Sequence, residues 1–515
     1  MEIQWSETAQ WDGSPDKATR FIRSFHFIRF RWFTDDGLIY PMVNLNVDHE
    51  KLHVFTMQGS LIYPNFRELA NSLMIDSSMT DWIKTRPLNK SPGSMSSMRW
   101  VQHQLQNCRE SHEKCRKRRG LVLPMPTRLI AVKIPGNIDV HLEELDRGRT
   151  ESYVALTYCW GSDQKSIMTT QANLLERLQN ISFETFPQTI KDAIVVTRTL
   201  RYKYLWVDAL CIVQDDEKDR AQEISKMSMI YTGASLTISA AKADDSKQGF
   251  LQERDLVRSY GTIFELPFQV NGDETGEARI FLHQNCVQNK REENIDKRGW
   301  TLQEHRLACR LLRYGSNQIE WNCQEQTSVD GGCQCQETDT FDDGFFKGLV
   351  EESHERYSAE NLPTFESTCR HDWLTLVEDY SHRSLSKLSD KLPAFAVLAE
   401  NFAKTMKLDA SDYCARLWKS DIHKQLLWQR DTEQSSSPEK GSVTELYSET
   451  FCPSWSWASL RDSIKFNNKF NNKFDDPEHT LEIIECGIEP KTPGYRYGEV
   501  QSAHLTVRGY VRQVR

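Results

Sequence analysis

No apolar run in the 515 residues approaches the roughly 20 that cross a bilayer. That argues against a membrane span. Positive charge is not in excess: 64 Lys and Arg face 73 Asp and Glu, leaving a net charge of −9. The chain as a whole is therefore not a nucleic-acid binder by electrostatics, and no nucleic acid is expected as a partner. There is no Gly-x-Gly-x-x-Gly loop, so a hydride-transferring dinucleotide site is not supported. The start, MEIQWSETAQWDGSPDK, is polar and lacks the apolar segment of a secretory signal. A cytoplasmic protein is the expectation. The 13 cysteines are an odd number scattered over a long chain. In a reducing compartment they argue against a disulfide framework, and Cys159, Cys211 and Cys309 read as small buried apolar residues.

What is present suits a folded chain: 38% hydrophobic and 27% charged residues. The length exceeds one ordinary core and implies two or three domains, or one with large additions. Residues 1–122 read as an N-terminal extension. Its segments FIRSFHFIRFRWF and KLHVFTMQGSLIY are dense in aromatic and β-branched residues and predict strands. Residues 65–84 and 97–115 predict helices, joined by the Pro-, Gly- and Ser-containing linker 86–98.

Residues 123–330 are the most patterned part. SYVALTYCW predicts a strand that stops at Gly161. FPQTIKDAIVVTRTL follows, with Pro187 suited to a first helical turn and Ile190, Ala193, Ile194 and Leu200 at helical spacing. YLWVDALCIV is a second strand, and Asp215 and Asp216 are N-cap candidates for the next helix. LTISAA is a third strand. FELPFQV and ARIFLH, around Asn271 and Gly272, predict a β-hairpin insertion. A short helix from Trp300 and a fourth strand near 311–314 complete the series. The alternation predicts an α/β fold with a parallel sheet and ligands at the carboxyl ends of its strands. Residues 331–515 read as a separate C-terminal region, helical over about 371–430 and β-rich over about 451–515. The pattern stays strand-like through VRGYVRQVR, as in a shortened chain.

YVALTYCWG, YLWVDALCIVQDD, EISKMSMIYTGASLTISAA and RGWTLQEHRLACRLLRYG resemble, in order, the blocks of the fungal heterokaryon-incompatibility (HET) domain. The segment LPMPTRLIAV is similar to its lead-in. DWLTLVEDYSHRSLSKLSDKLPAFAVLAE and PSWSWASL are similar to segments that often follow it. The resemblance implies a role in fungal non-self recognition and regulated cell death. The family is also distantly similar to TIR domains, which implies a flavodoxin-like core. Some TIR domains cleave NAD at the nicotinamide–ribose bond, and others only assemble signalling complexes. WTLQE matches the TIR pattern of a tryptophan, three residues and the catalytic glutamate, with Thr301 where cysteine is usual.

Carried over, the catalytic residue is Glu304, with Glu223 as the fallback. Tyr158, Trp160, Gly161 and Ser162 in the first loop, with Asp208 and Trp300, form the expected substrate-binding set. NAD is then a substrate, and no cofactor is expected. Nicotinamide leaves neutral from a pyridinium, so a single carboxylate that stabilises the oxocarbenium-like charge suffices, a role worth roughly 3 kcal/mol or more. An indole, Trp160 or Trp300, would stack on the cationic ring, and Asp208 would hold a sugar hydroxyl. Each residue also has an ordinary reading. Trp300 is then core, Glu304 a surface partner of Arg306 or Arg298, Asp208 a loop anchor, and Glu223 a solvated helix residue. The partners implied are a second copy of the chain and an unidentified incompatibility protein.

Cys108, His112 and Cys115 have C-x3-H-x2-C spacing on one helix face. No fourth ligand is evident, although Cys323, Cys333 and Cys335 flank a Gly-Gly turn, and the expectation is no metal. KCRKRR, from Lys114 to Arg119, reads as a solvated basic face or a nuclear address.

Overall fold

The computed structural model describes residues 89–331, 362–431, 452–466 and 482–509, apart from 120–122, 133–135, 147, 162–166, 257–262, 270–276, 285–292, 386–387 and 493–494. Ahead of residue 89 it describes strand backbone at 2–3, 28–35, 38–44 and 52–56. The helix expected at 65–84 lies outside the described residues.

The centre is an eight-stranded sheet. Its strands are β1 (Arg128–Ala131), β2 (His141–Glu144), β3 (Tyr153–Thr157), β4 (Tyr204–Trp206), β5 (Leu236–Ser239), β6 (Arg310–Tyr314), β7 (Ile319–Cys323) and β8 (Thr327–Val329). Their spatial order is β8-β7-β6-β5-β3-β4-β1-β2. β3 is parallel to β4 and β5, and β5 is parallel to β6. β1, β2, β7 and β8 are antiparallel additions at the two edges. The sheet is thus mixed, and the wholly parallel expectation is corrected. TRLIAV and IEWNC join by hairpin and edge pairing, which periodicity alone does not announce. Every residue of β3, β5 and β6 is buried, as continuous apolar or satisfied runs in a sheet covered on both faces require.

The four parallel strands lie in the order second, first, third, fourth along the sheet. The chain passes from β3 to β4 on one side and then crosses back past β3 to β5 on the other. Sheets of this kind take ligands in the crevice at such a reversal, here the carboxyl ends of β3 and β5.

Helix α1 (Met95–Ser111) begins inside the stretch expected to be linker, because Ser94 accepts the Ser97 N–H and caps it. Helix α2 (Glu113–Arg119) follows directly. Helix α3 (Gln188–Thr199) connects β3 to β4, with Pro187 at its N-cap. Helices α4 (Glu217–Ser225) and α5 (Met227–Gly233) connect β4 to β5. Asp216 caps α4 by accepting from the Lys218 and Asp219 N–H groups at 2.9 and 3.2 Å. Helix α6 (Gly299–Leu307) precedes β6.

The expected hairpin pairs Ile263–Gln269 with Glu277–Gln284. It does not stand alone. Its second strand also pairs with Leu52–Thr56, so hairpin and N-terminal strands form one six-stranded antiparallel sheet.

In the C-terminal region, α7 (Leu362–Ser381) and α8 (Pro393–Met406) pack around aromatic side chains. The fully buried Trp373 lies 5.2 Å from Phe395, 4.8 Å from Phe402 and 5.6 Å from Trp418, centroid to centroid. This region continues the hydrophobic core of the sheet. It docks on the start of α6: the Gly299 N–H donates to Ser384 O at 2.8 Å. Gly299 fits there because any Cβ would stand 2.5 Å from Leu385 Cδ2. Trp373→Ala removes the central ring of a well-packed cluster. It is expected to lower stability by about 3–5 kcal/mol, read from urea unfolding midpoints.

Candidate active site at the carboxyl edge of the sheet

Three segments converge on the crevice. The first is the end of β3, Thr157 to Gly161. Gly161 adopts φ +79°, and a Cβ there would stand 2.7 Å from Asp245 Cβ, so the loop turns only with glycine. Ser162 lies outside the described residues. The second segment is the end of β4, where a single helical turn, Asp208–Cys211, starts at Asp208. The third is α6, which carries Glu304 on its buried side.

Glu304 is 6% exposed and Asp208 is half-buried. Burial raises the pKa of both carboxyls. Asp208 is pushed up to about 7, first by burial and then by the negative charge of Glu304. Arg298 opposes both shifts, and both carboxylates in turn favour its charged form. Its guanidinium donates to the carbonyl of Tyr158, which fixes it beneath the β3 loop. Two carboxyls thus lie in the field of one half-buried cation.

The remaining contacts fix orientation. Asp208 Oδ2 accepts from Trp160 Nε1 at 2.8 Å, and Oδ1 accepts from the Ala209 N–H at 2.7 Å. The Thr157 and Tyr231 hydroxyls act on Glu304 in favour of its ionised form. Tyr231 donates to Leu156 O at 3.2 Å. Thr157 Oγ1 and Tyr158 Oη are buried and make no hydrogen bond of normal geometry among the described residues. A site that leaves buried polar atoms without hydrogen bonds has donors in reserve for a ligand. His305, next to Glu304, stands 3.0 Å from Ser239 Oγ, and burial holds its pKa well below the ordinary histidine value.

The structure therefore joins Glu304, Asp208, Trp160 and Tyr158. The surface reading of Glu304 is corrected: helix spacing placed it one turn into α6, but α5 and the sheet cover that side. Trp300 is half-buried, and its indole N–H donates to Asp390 at 3.2 Å, toward the C-terminal region. The reading of Glu223 as a solvated helix residue is corrected. Glu223 is fully buried, pairs with Lys226 at 2.8 Å and accepts from Thr127, so it anchors α4 to the start of β1. Arg298 was read from the sequence only as a surface partner of Glu304. Tyr231 is the residue that sequence reasoning missed, and it carried no signal beyond its place on a helix.

Residues 153–304 match the family model described as Heterokaryon incompatibility protein (HET). The chain carries a HET domain over this segment. No curated protein and no solved structure gives a significant match. The HET segment opens at the first residue of β3 and closes at Glu304, so its bounds span the parallel strands β3, β4 and β5 and the whole carboxyl cluster. No helix among the described residues is long and apolar enough to cross a membrane.

The raised carboxyl pKa values make a pH prediction. Between about pH 4 and 7 the folded HET domain holds a proton on Asp208 that the unfolded chain releases. Stability conferred by that proton is present at low pH and declines as pH rises toward 7, and Glu304 acts in the same direction. Asp208→Asn is expected to flatten this decline, seen in urea midpoints from pH 4.5 to 7.5.

Proposed function

We propose that this HET-domain protein acts in non-self recognition as a nucleosidase of NAD or a related pyridinium nucleotide, on a TIR-like core. The observation that carries the proposal is the pair of carboxyls, Glu304 and Asp208, sharing Arg298 at the strand-order reversal. Perturbed acids gathered in that crevice fit a catalytic site better than a structural ion pair.

The reaction is NAD+ plus water giving ADP-ribose, nicotinamide and a proton. The ribose–nicotinamide C–N bond breaks and its electron pair leaves with a neutral pyridine. Glu304 stabilises the oxocarbenium-like sugar that remains, and water closes the bond at the same carbon. Asp208, oriented by Trp160, holds a sugar hydroxyl. Trp160 offers its ring to the cationic base. Tyr158 supplies a hydroxyl held in reserve. Loss of the dinucleotide then leads to cell death.

A second reading has its own support. At 6% exposure Glu304 is covered, and substrate reaches it only if α6 or the β3 loop moves. A covered carboxylate suits a non-enzymatic module that signals by assembling with a second copy or with an incompatibility protein. Nicotinamide release by the full chain at high protein concentration separates the two. Glu304→Gln is expected to lower release by at least about 100-fold with the fold retained. No release by wild type, dilute or concentrated, supports the assembly module instead.

A further inference from the structure

The strongest cluster outside the crevice lies at the opposite side of β6, where α1 and α2 meet the β7–β8 edge. Cys108 and His112 come from the end of α1, Cys115 from α2 and Cys323 from the end of β7. All four are buried, and one ligating atom from each lies within 4.8 Å of all the others. His112 Nδ1 is 3.2 Å from Cys323 Sγ. The cysteines are free thiols.

We propose that Cys108, His112, Cys115 and Cys323 bind one structural zinc ion. The geometry is that of four ligands around one centre. Zinc at about 2.3 Å from sulfur and about 2.0 Å from nitrogen spaces tetrahedral ligands by less than about 4 Å. A Cys3His set is among the usual structural sets, and thiolates with imidazole in a tetrahedron select zinc over magnesium, calcium or manganese. Three ligands converge where α1 ends: Cys108 sits in its last turn, His112 at its extended C-cap, and Cys115 in α2, which follows at once. The fourth comes from 208 residues farther along the chain and is reached only because α1 packs on β7.

The surroundings fit a charged centre. Zinc with three thiolates and a neutral imidazole carries one net negative charge. Arg310 supplies the balancing positive charge, its Nε donating to Cys108 Sγ at 3.1 Å. Its other end is held by Ser235 O at 3.1 Å. A buried arginine aimed at a cysteine sulfur has no role if that sulfur is an ordinary apolar filler, and a clear one if it is a metal-bound thiolate. A second contact ties the same elements: the Lys114 N–H donates to Glu325. All four positions are filled by protein, so the ion has no open site for substrate. It staples the N-terminal helices to the sheet edge, beside the strand that directly follows α6.

The test is metal content of the full-length chain purified without chelators under reducing conditions. About one zinc per chain is expected. His112→Ala and Cys323→Ser are expected to lose it, and Arg310→Gln to retain it with roughly 10- to 100-fold weaker affinity in a chelator competition. X-ray absorption on wild type is expected to give three sulfurs and one nitrogen around zinc. That measurement decides the matter even if the ligand variants fail to fold. Wild type that takes up no zinc, a first shell without three sulfurs, zinc retained in folded Cys323→Ser, or a disulfide within the set would each overturn the proposal.

Discussion

The candidate active site depends on one half-buried cation. Arg298 acts by its charge on both Glu304 and Asp208 and is pinned to the carbonyl of Tyr158. Without it, two carboxyls would be left in a low-dielectric crevice with hydrogen bonds alone to hold their charge, and both would stay protonated well above their ordinary range. With it, that rise is opposed at both groups, and Asp208 stands at about 7. A carboxyl that titrates near pH 7 is one an enzyme can use as acid or base at that pH. The same balance makes the crevice a weak point for stability, which is the ordinary condition of functional sites.

Arg298 is itself placed by the C-terminal region. Its strand-like bridge to Ser384 and the Gly299 N–H to Ser384 O bond set where α6 begins. Arg383 adds a bond from its guanidinium to Thr301 Oγ1 at 3.3 Å and is paired with Asp379 at 2.9 Å. Trp300, one residue into the helix from Gly299, is tied to Asp390. The helix that carries Glu304 is thus gripped at its start by residues far outside the matched HET segment. The family segment that ends at Glu304 holds the carboxyl cluster, and the parts beyond it hold the helix.

Much of the architecture was legible in the sequence. Continuous apolar runs such as YVALT and LTIS predicted central strands, and Pro187 and Asp216 marked helix starts by backbone preference and by capping. These are local effects, and local sequence carries them. Glu304 was legible as a candidate only through its likeness to a motif. Its burial was not, because spacing puts a residue on a helix face without saying what covers that face. Glu223 shows the converse: a charged residue in a polar helix turned out to be fully buried, since Lys226 and Thr127 satisfy it.

The sequence by itself determined which segments are strands and helices, where several begin, and that Cys108, His112 and Cys115 stand close together along the chain. Periodicity and capping act within a few residues, so those features need no partner. Only the tertiary structure decided that the sheet is mixed, that Arg298 acts by its charge on both Glu304 and Asp208, and that Cys323 completes the cluster around His112. Each of those depends on contacts between residues tens to hundreds of positions apart, and such contacts exist only once the sheet order is set.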